Sequence, residues 1–365
     1  MMRTRLISLH VLVVVVLSVA LVIPAHASDY VHVEGFGERG LQINCVTAGG
    51  PSEAADLPVA ILLHGFGGSS FSFRGILEPM ADALGTCAIA FDRPAFGFTS
   101  RPVPPSCGYW HEARDGRNPY TLAAAVEITF RVADALAPGK PLVLIGHSAG
   151  AEVAVAAALA RPDRVAGLVL IAPAVALETT SQSNSSLVKG VSRMPCAGAI
   201  GAWVLRLIAP RLSTALSSMW HDKSKLTQDI VDGYMAPLKP PVGNWARALW
   251  EFTVARSYEK NAPTMASLRQ IAAPCLVIAG AQDSVVPMAH SRVVAQSIPG
   301  AVIATIDESG HLPHEEQEAD TLEAIRVFLS RVGLSRRHGI GRFACDTQQQ
   351  QPSTCNCRYT VLSCT

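Results

Sequence analysis

Gly146-His147-Ser148-Ala149-Gly150 follows the apolar run Pro141-Leu142-Val143-Leu144-Ile145 and leads into the alanine-rich stretch Glu152 to Arg161. A buried strand, then G-x-S-x-G, then a helix is the sequence form of a tight turn that carries a nucleophilic serine at its apex. The glycine spacing has a physical reason. The chain reverses within a few residues, which strains the serine backbone and admits only very small side chains two positions either side. The hydroxyl then stands clear of the sheet at the positive end of a helix, where a developing oxyanion is stabilised.

Working outward, the same alternation repeats. Tyr30 to Val46 reads as a pair of strands around the Gly35-to-Gly40 turn region, and Val59-Ala60-Ile61-Leu62-Leu63 is a continuous apolar run ending in His64-Gly65-Phe66-Gly67-Gly68. Phe73 to Leu84 has a helical pattern, and Cys87 to Phe91 is another buried strand, ending at Asp92-Arg93-Pro94. A proline- and glycine-rich loop spans Arg101 to Pro119, and Thr121 to Ala137 is an amphipathic helix with Leu122, Val126, Phe130 and Ala133 near helical spacing. Downstream of the serine, Val165 to Ile171 is the next strand. Strands that are unbroken apolar runs, alternating with helices, predict a mostly parallel, doubly wound α/β sheet covered on both faces.

The alternation stops near Pro173 and resumes at Cys275. Between them Trp203, Met219, Trp220, Trp245, Trp250 and Phe252 sit in helical periodicity without strand signals, which predicts a helical cap inserted over the sheet edge. The sheet returns with Leu276 to Ala279 and Val302 to Ile306, and a closing helix runs from about Glu315 to Val332. The expected division is a leader at 1–27, core at 28–174, cap at 175–265, core again at 266–333 and a disordered tail at 334–365. The tail, with four glutamines at Gln348 to Gln351 and no periodicity, is expected to lack a catalytic role.

Apolar residues make up 49% and charged residues 16% of the 365, enough for a sizeable core and against general disorder. A net charge of +1 leaves no basic excess and argues against nucleic acid as a partner. Arg3 and Arg5 precede an apolar run from Leu6 to Ile23, followed by Ala25-His26-Ala27. The Ala-x-Ala site favours a cleaved signal peptide. The rival reading is membrane attachment through residues 6–23, a run just long enough to span a bilayer. Either one places the folded part in the secretory pathway or another non-cytosolic compartment. Among nine cysteines, Cys87 and Cys275 lie in or beside strand-like runs, where buried thiols are expected, while Cys107 and Cys196 could pair under oxidising conditions. No His/Cys spacing resembles a zinc site, so no metal and no cofactor is expected.

A serine nucleophile needs a base, an orienting carboxylate and donors for the oxyanion, and in a doubly wound sheet these gather after strand ends. Asp283 falls just past the strand at Leu276, where its plainer role is to cap a turn. His311 follows the last strand within Asp307-Glu308-Ser309-Gly310-His311, with Gly310 expected to free the turn so that the ring points inward. His314 is assigned a structural role, and Asp307 is the competing acid, expected to cap the turn.

The order Ser148, Asp283, His311, together with His64-Gly65-Phe66-Gly67-Gly68 and Asp92-Arg93-Pro94-Ala95-Phe96-Gly97, resembles the α/β-hydrolase superfamily, serine type with a helical cap. The resemblance covers roughly Val31 to Val332. It implies Ser148 as nucleophile, His311 as base, Asp283 as its orienting partner, and the N–H groups of Ala149 and Phe66 as the oxyanion hole. His64, Asp92, Arg93 and His147 are expected to be scaffold. Haloalkane dehalogenases and epoxide hydrolases of this fold carry aspartate at the apex, so Ser148 argues against both. What remains is hydrolysis of a small to medium apolar ester or related carbonyl compound, with C–C bond hydrolysis also open. The alternatives are a ligand-binding receptor or an acyltransferase on the same scaffold.

Overall fold

The computed structural model of the chain describes residues 28–50, 56–104, 118–177, 181–194, 196–335 and 359–363. The leader, most of the 101–119 loop, Cys107 and the tail cysteines lie outside those residues. The sheet has nine strands: β1 (Ser28–Val33), β2 (Leu41–Ala48), β3 (Val59–Leu63), β4 (Ala88–Phe91), β5 (Leu142–His147), β6 (Val165–Ile171), β7 (Cys275–Gly280), β8 (Val302–Ile306) and β9 (Tyr359–Ser363). Their spatial order is β1-β2-β4-β3-β5-β6-β7-β8-β9. The strands from β4 through β8 run parallel, while β1, β2 and β9 add antiparallel edges.

Central strands are buried on both faces, which is why their sequences read as apolar runs without alternation. Ile61, Leu63, Leu142 and Leu144 face one apolar layer, with α2 (Leu122–Leu136), α3 (Ala149–Ala160) and α10 (Met288–Ser297). Ala60, Leu62, Val143 and Ile145 face the other, with α1 (Leu77–Leu84) and α12 (Glu318–Arg331). Helices on both faces make the sheet doubly wound, as the sequence predicted. Thr121 caps α2 by accepting from the Ala124 N–H at 3.1 Å.

Between β6 and β7 every regular element of the described residues is helical: α4 (Ser181–Ser192), α5 (Ala197–Ile208), α6 (Leu212–Ser218), α7 (Gln228–Met235), α8 (Trp245–Ser257), α9 (Met265–Leu268) and short 3₁₀ turns. These helices form a cap over the carboxyl ends of the strands. Glu152 of α3 accepts two hydrogen bonds from Arg256 Nη2 of α8 at 2.7 Å each, tying cap to core.

Three expectations need correction. The helix read over Phe73 to Leu84 is a 3₁₀ turn at Ser70–Phe73 followed by α1. The closing helix is interrupted: α11 (Pro313–Glu316) ends at Gln317, at φ −132° and ψ 63°, before α12 begins. Glu316, the last residue of α11, turns its carboxylate to backbone N–H groups of the cap and of the loop before His311. The tail is not wholly without structure either. Tyr359–Ser363 pairs antiparallel with β8, from Ile306 with Tyr359 to Val302 with Ser363. Tyr-Thr-Val-Leu is a good strand sequence, and the open edge of β8 presents the unpaired backbone groups that recruit it.

Candidate active site

Ser148 sits between β5 and α3 at φ 50° and ψ −117°, a strained conformation for a residue with a Cβ. The neighbouring structure holds it there. Its N–H donates to Ile171 O at 2.9 Å, and its carbonyl accepts from Ala151 N at 3.0 Å and Ala174 N at 3.2 Å. The flanking glycines are required by space. A Cβ at Gly146 would come within 2.6 Å of Ala151 Cα, and one at Gly150 would overlap the Leu63 carbonyl oxygen. The turn therefore has its predicted form, forced by the close passage of β3 and α3.

Asp283 Oδ2 accepts from His311 Nδ1 at 2.8 Å, with both side chains buried. The turn-capping role is present as well: Asp283 Oδ1 accepts from Val285 N at 2.7 Å and Val286 N at 2.9 Å. One carboxylate oxygen anchors the turn and the other anchors the imidazole, fixing its tautomer and leaving Nε2 for proton transfer. Ser148 and His311 are brought to the same place less directly. No Ser148–His311 side-chain hydrogen bond occurs among the described residues. The ring of His147, next to Ser148 in the chain, packs 4.9 Å from the ring of His311, and His147 Nε2 donates to His311 O at 2.9 Å.

The two expected oxyanion donors are also placed. Ala149 opens α3, so its N–H has no partner within the helix. Gly65 O accepts from His64 Nδ1 at 2.8 Å and Gly68 N at 3.3 Å. Because C=O and N–H of a trans peptide point opposite ways, this fixes the Phe66 N–H in the other direction. Neither N–H has a partner among the described residues. Phe66 and Ala149 both line a cavity of about 870 Å³ between core and cap, with Arg93, Glu152, Phe252 and Arg256 in its wall. Phe66 also borders a smaller, apolar cavity of about 180 Å³, whose wall includes Phe96, Leu216, Met219, Trp245 and Leu249.

The residues expected to be scaffold link neighbouring loops and strand ends. Arg93 N donates to His64 Nε2 at 2.9 Å, so His64 is a neutral ring bridging two strand ends. Asp92 accepts from Ser70 N at 2.7 Å, Asn44 Nδ2 at 2.8 Å and Phe98 N at 2.7 Å. Gly97, at φ 53°, lies where a Cβ would overlap the Asp92 carboxylate. His314 bonds Ser72 Oγ at 2.8 Å and packs on Phe73 and His147, in keeping with a structural role. Burial pushes His314 down to about 3, with Arg74 adding to the effect, and holds His147 and His64 well below the ordinary histidine range. Asp307 is exposed and away from the imidazole's bonds.

Gly310 has a different reason from the one expected. A Cβ there would meet Met219 O at 2.5 Å and His221 N at 2.8 Å, so it gives room for the cap backbone. The cap fixes the His311 loop: His311 N donates to Met219 O at 2.8 Å, and Glu316 Oε2 accepts from Gly310 N at 2.7 Å and His221 N at 3.2 Å. Sequence reading missed Glu316, since a buried carboxylate serving two backbone segments has no local signature. Arg93, expected only as scaffold, also places its guanidinium in the cavity wall, buried, with Nε and Nη2 unpartnered among the described residues. Burial, with the nearby Arg256 adding to the effect and Glu152 opposing it, lowers its pKa to about 10.

With this geometry in place, comparison with known proteins is direct. The profile of the alpha/beta hydrolase family matches residues 60–324. The chain belongs to the α/β-hydrolase family. It is 25% identical to the uncharacterized hydrolase YugF of Bacillus subtilis over 74% of this chain and 89% of that protein. It is 26% identical to the 2-hydroxymuconate semialdehyde hydrolase of Pseudomonas putida over 72% of this chain and 85% of that protein. Among solved structures, a thermophilic esterase from Thermogutta terrifontis shares the fold with a TM-score of 0.60 at 21% identity, covering 84% of this chain and 99% of that one. The α/β-hydrolase chain is thus a hydrolase by family.

Proposed function

We propose that this protein is a serine hydrolase that cleaves a small to medium apolar ester through an acyl-serine intermediate. The observation that carries the reading is the strained Ser148 apex beside the buried Asp283–His311 pair, whose bond measures 2.8 Å. Ser148 Oγ attacks the ester carbonyl carbon while His311 Nε2 takes the hydroxyl proton. The negative charge that develops on the carbonyl oxygen is held by the Phe66 and Ala149 N–H groups. The C–O bond to the alcohol then breaks, and Nε2 returns the proton to the leaving oxygen. Water repeats the sequence on the acyl-serine and releases the acid.

The apolar cavity bordered by Phe66, Phe96, Leu216 and Trp245 supports an apolar group on one side of the scissile bond. The likeness to a semialdehyde hydrolase supports a second reading, attack on a ketone carbonyl with C–C cleavage, on the same three residues. Reaction of the purified protein with a fluorophosphonate probe separates these ideas from a non-catalytic receptor. The expected result is a single adduct on Ser148, found by peptide mass spectrometry, and p-nitrophenyl butyrate turnover abolished in Ser148→Ala. Absence of the adduct together with undiminished binding of the ester would sink the enzymatic reading. Turnover of a vinylogous diketone but of no ester would favour the second.

A further inference from the structure

The cap helix α5 is built inside out. Its small residues Ala197, Gly198, Gly201 and Ala202 face inward, where Cβ atoms on the two glycines would overlap Arg247 and Trp250 of α8. Its large residues Ile200, Trp203, Val204, Leu207 and Ile208 recur at helical spacing on the opposite face and are exposed, Trp203 at 60%. Leu187 and Met194, just before it, are exposed as well. Seven of the thirteen exposed large apolar residues among the described ones thus fall within 22 consecutive positions, from 187 to 208, which makes them a patch and not the usual scatter.

Charge says what covers this patch. From Thr179 to His221 there is no aspartate or glutamate, and the formal charges are Lys189, Arg193, Arg206 and Arg211. The three arginines are exposed beside the apolar residues. A second copy packed two-fold on this face would bring cations against cations with no carboxylate to pair them. A bilayer with anionic headgroups satisfies both features: acyl chains for the apolar stripe, phosphates for the guanidinium groups. Crossing the bilayer is excluded by the inner face, which is committed to α8.

We propose that the cap docks on an anionic lipid surface through the outer face of α5. The adjoining helix α6 continues the idea toward the site. Its Leu212, Ala215 and Leu216, with Met219 just beyond, line the apolar cavity that Phe66 borders. A lipid-borne apolar ester would pass from the bilayer along α6 to Ser148, and this substrate-supply part rests on the ester reading given above.

The test uses the full chain and vesicles of phosphatidylglycerol and phosphatidylcholine with brominated acyl chains. Tryptophan fluorescence is expected to be quenched on these vesicles, with most of the quenching lost in Trp203→Phe. Pure phosphatidylcholine vesicles or raised salt should weaken the effect roughly tenfold, as several arginine–phosphate attractions are lost or screened. The Trp203→Asp, Leu207→Asp double variant should lose roughly tenfold in turnover of a vesicle-dispersed ester and keep its turnover of a water-soluble one. Quenching that Trp203→Phe leaves unchanged, or none at all, overturns the docking face. Loss of a dimer in sedimentation on introducing Leu207→Asp, without quenching, reassigns the face to a second copy. Equal quenching on neutral and anionic vesicles overturns the anionic requirement. Should the parent turn over no ester, the ester reading fails, while quenching still decides the surface independently.

Discussion

Helices α3 and α5 are both twelve residues long, both begin Ala-Gly-Ala, and both are strongly apolar, yet they serve opposite purposes. AGAEVAVAAALA is buried against the sheet on nearly every side, and its value lies in its first turn, which aims N–H groups at the Ser148 apex. AGAIGAWVLRLI hides only its smallest residues and shows its largest to the outside. The difference teaches that apolar composition sets how much surface must be covered and does not say by what. For α3 the cover is the rest of the chain. For α5, on the proposal above, it is lipid.

The widest effects belong at the head of α3. Ser148→Ala is expected to lower ester turnover by about 10³-fold or more, with an unchanged thermal midpoint, because the small side chain fits the same backbone. His311→Ala should do the same, whereas His314→Ala should cost stability and spare the chemistry. Steady-state kinetics beside thermal melts separate the two histidines, and the reverse pattern would reassign the base.

Next in size are the glycines on the buried sides. Gly150→Ala pushes a methyl group into the backbone carbonyl of Leu63, which cannot yield, and should cost ~3 kcal/mol or more in urea denaturation. Gly201→Ala in α5 meets the Trp250 side chain, which can rotate away. Its cost should be smaller, about 1 kcal/mol. Equal costs would mean that the cap is packed as rigidly as the core.

Acid should reveal a third contrast. His314, His147 and His64 are buried as neutral rings, so the unfolded chain takes up the extra protons. Their stabilising contribution is complete above the ordinary value of 6.5 and declines as pH falls, for His314 down to about 3. Unfolding free energies from urea denaturation between pH 7 and pH 4 should fall by up to about 1.4 kcal/mol per pH unit for each such ring, and His314→Asn should flatten that slope. The smallest effect is Leu207→Gln on the outer face of α5, expected to shift stability by no more than about 0.5 kcal/mol. A large loss there would show that the face is covered from within.

Much of the core was legible because its signals are local. The unbroken runs at Val59, Leu142, Val165 and Leu276 became central strands, since burial on both faces leaves no room for polar alternation. The serine turn was legible because its glycines answer to contacts a few residues away and one strand over. Asp283 and His311 were readable from their places after strand ends. Other features involve partners far along the chain. Glu316 bonds Gly310 and His221 at once, Met219 O holds the His311 loop, and Arg93 enters a cavity that exists only once Arg256 arrives from the cap. The tail strand was missed because glutamines and cysteines masked five strand-forming residues, and because the open edge of β8 cannot be seen in a linear chain.

By itself, the sequence determined the alternation of strands and helices, the strained serine turn and the places of Asp283 and His311 after strand ends, because period, glycine spacing and strand ends are written within a few residues. Only the tertiary structure decided how the cap holds the His311 loop, why Gly310 must be glycine, and which side of α5 faces out. Those depend on which distant surfaces meet, and a helix carries no local record of what its outer face will touch.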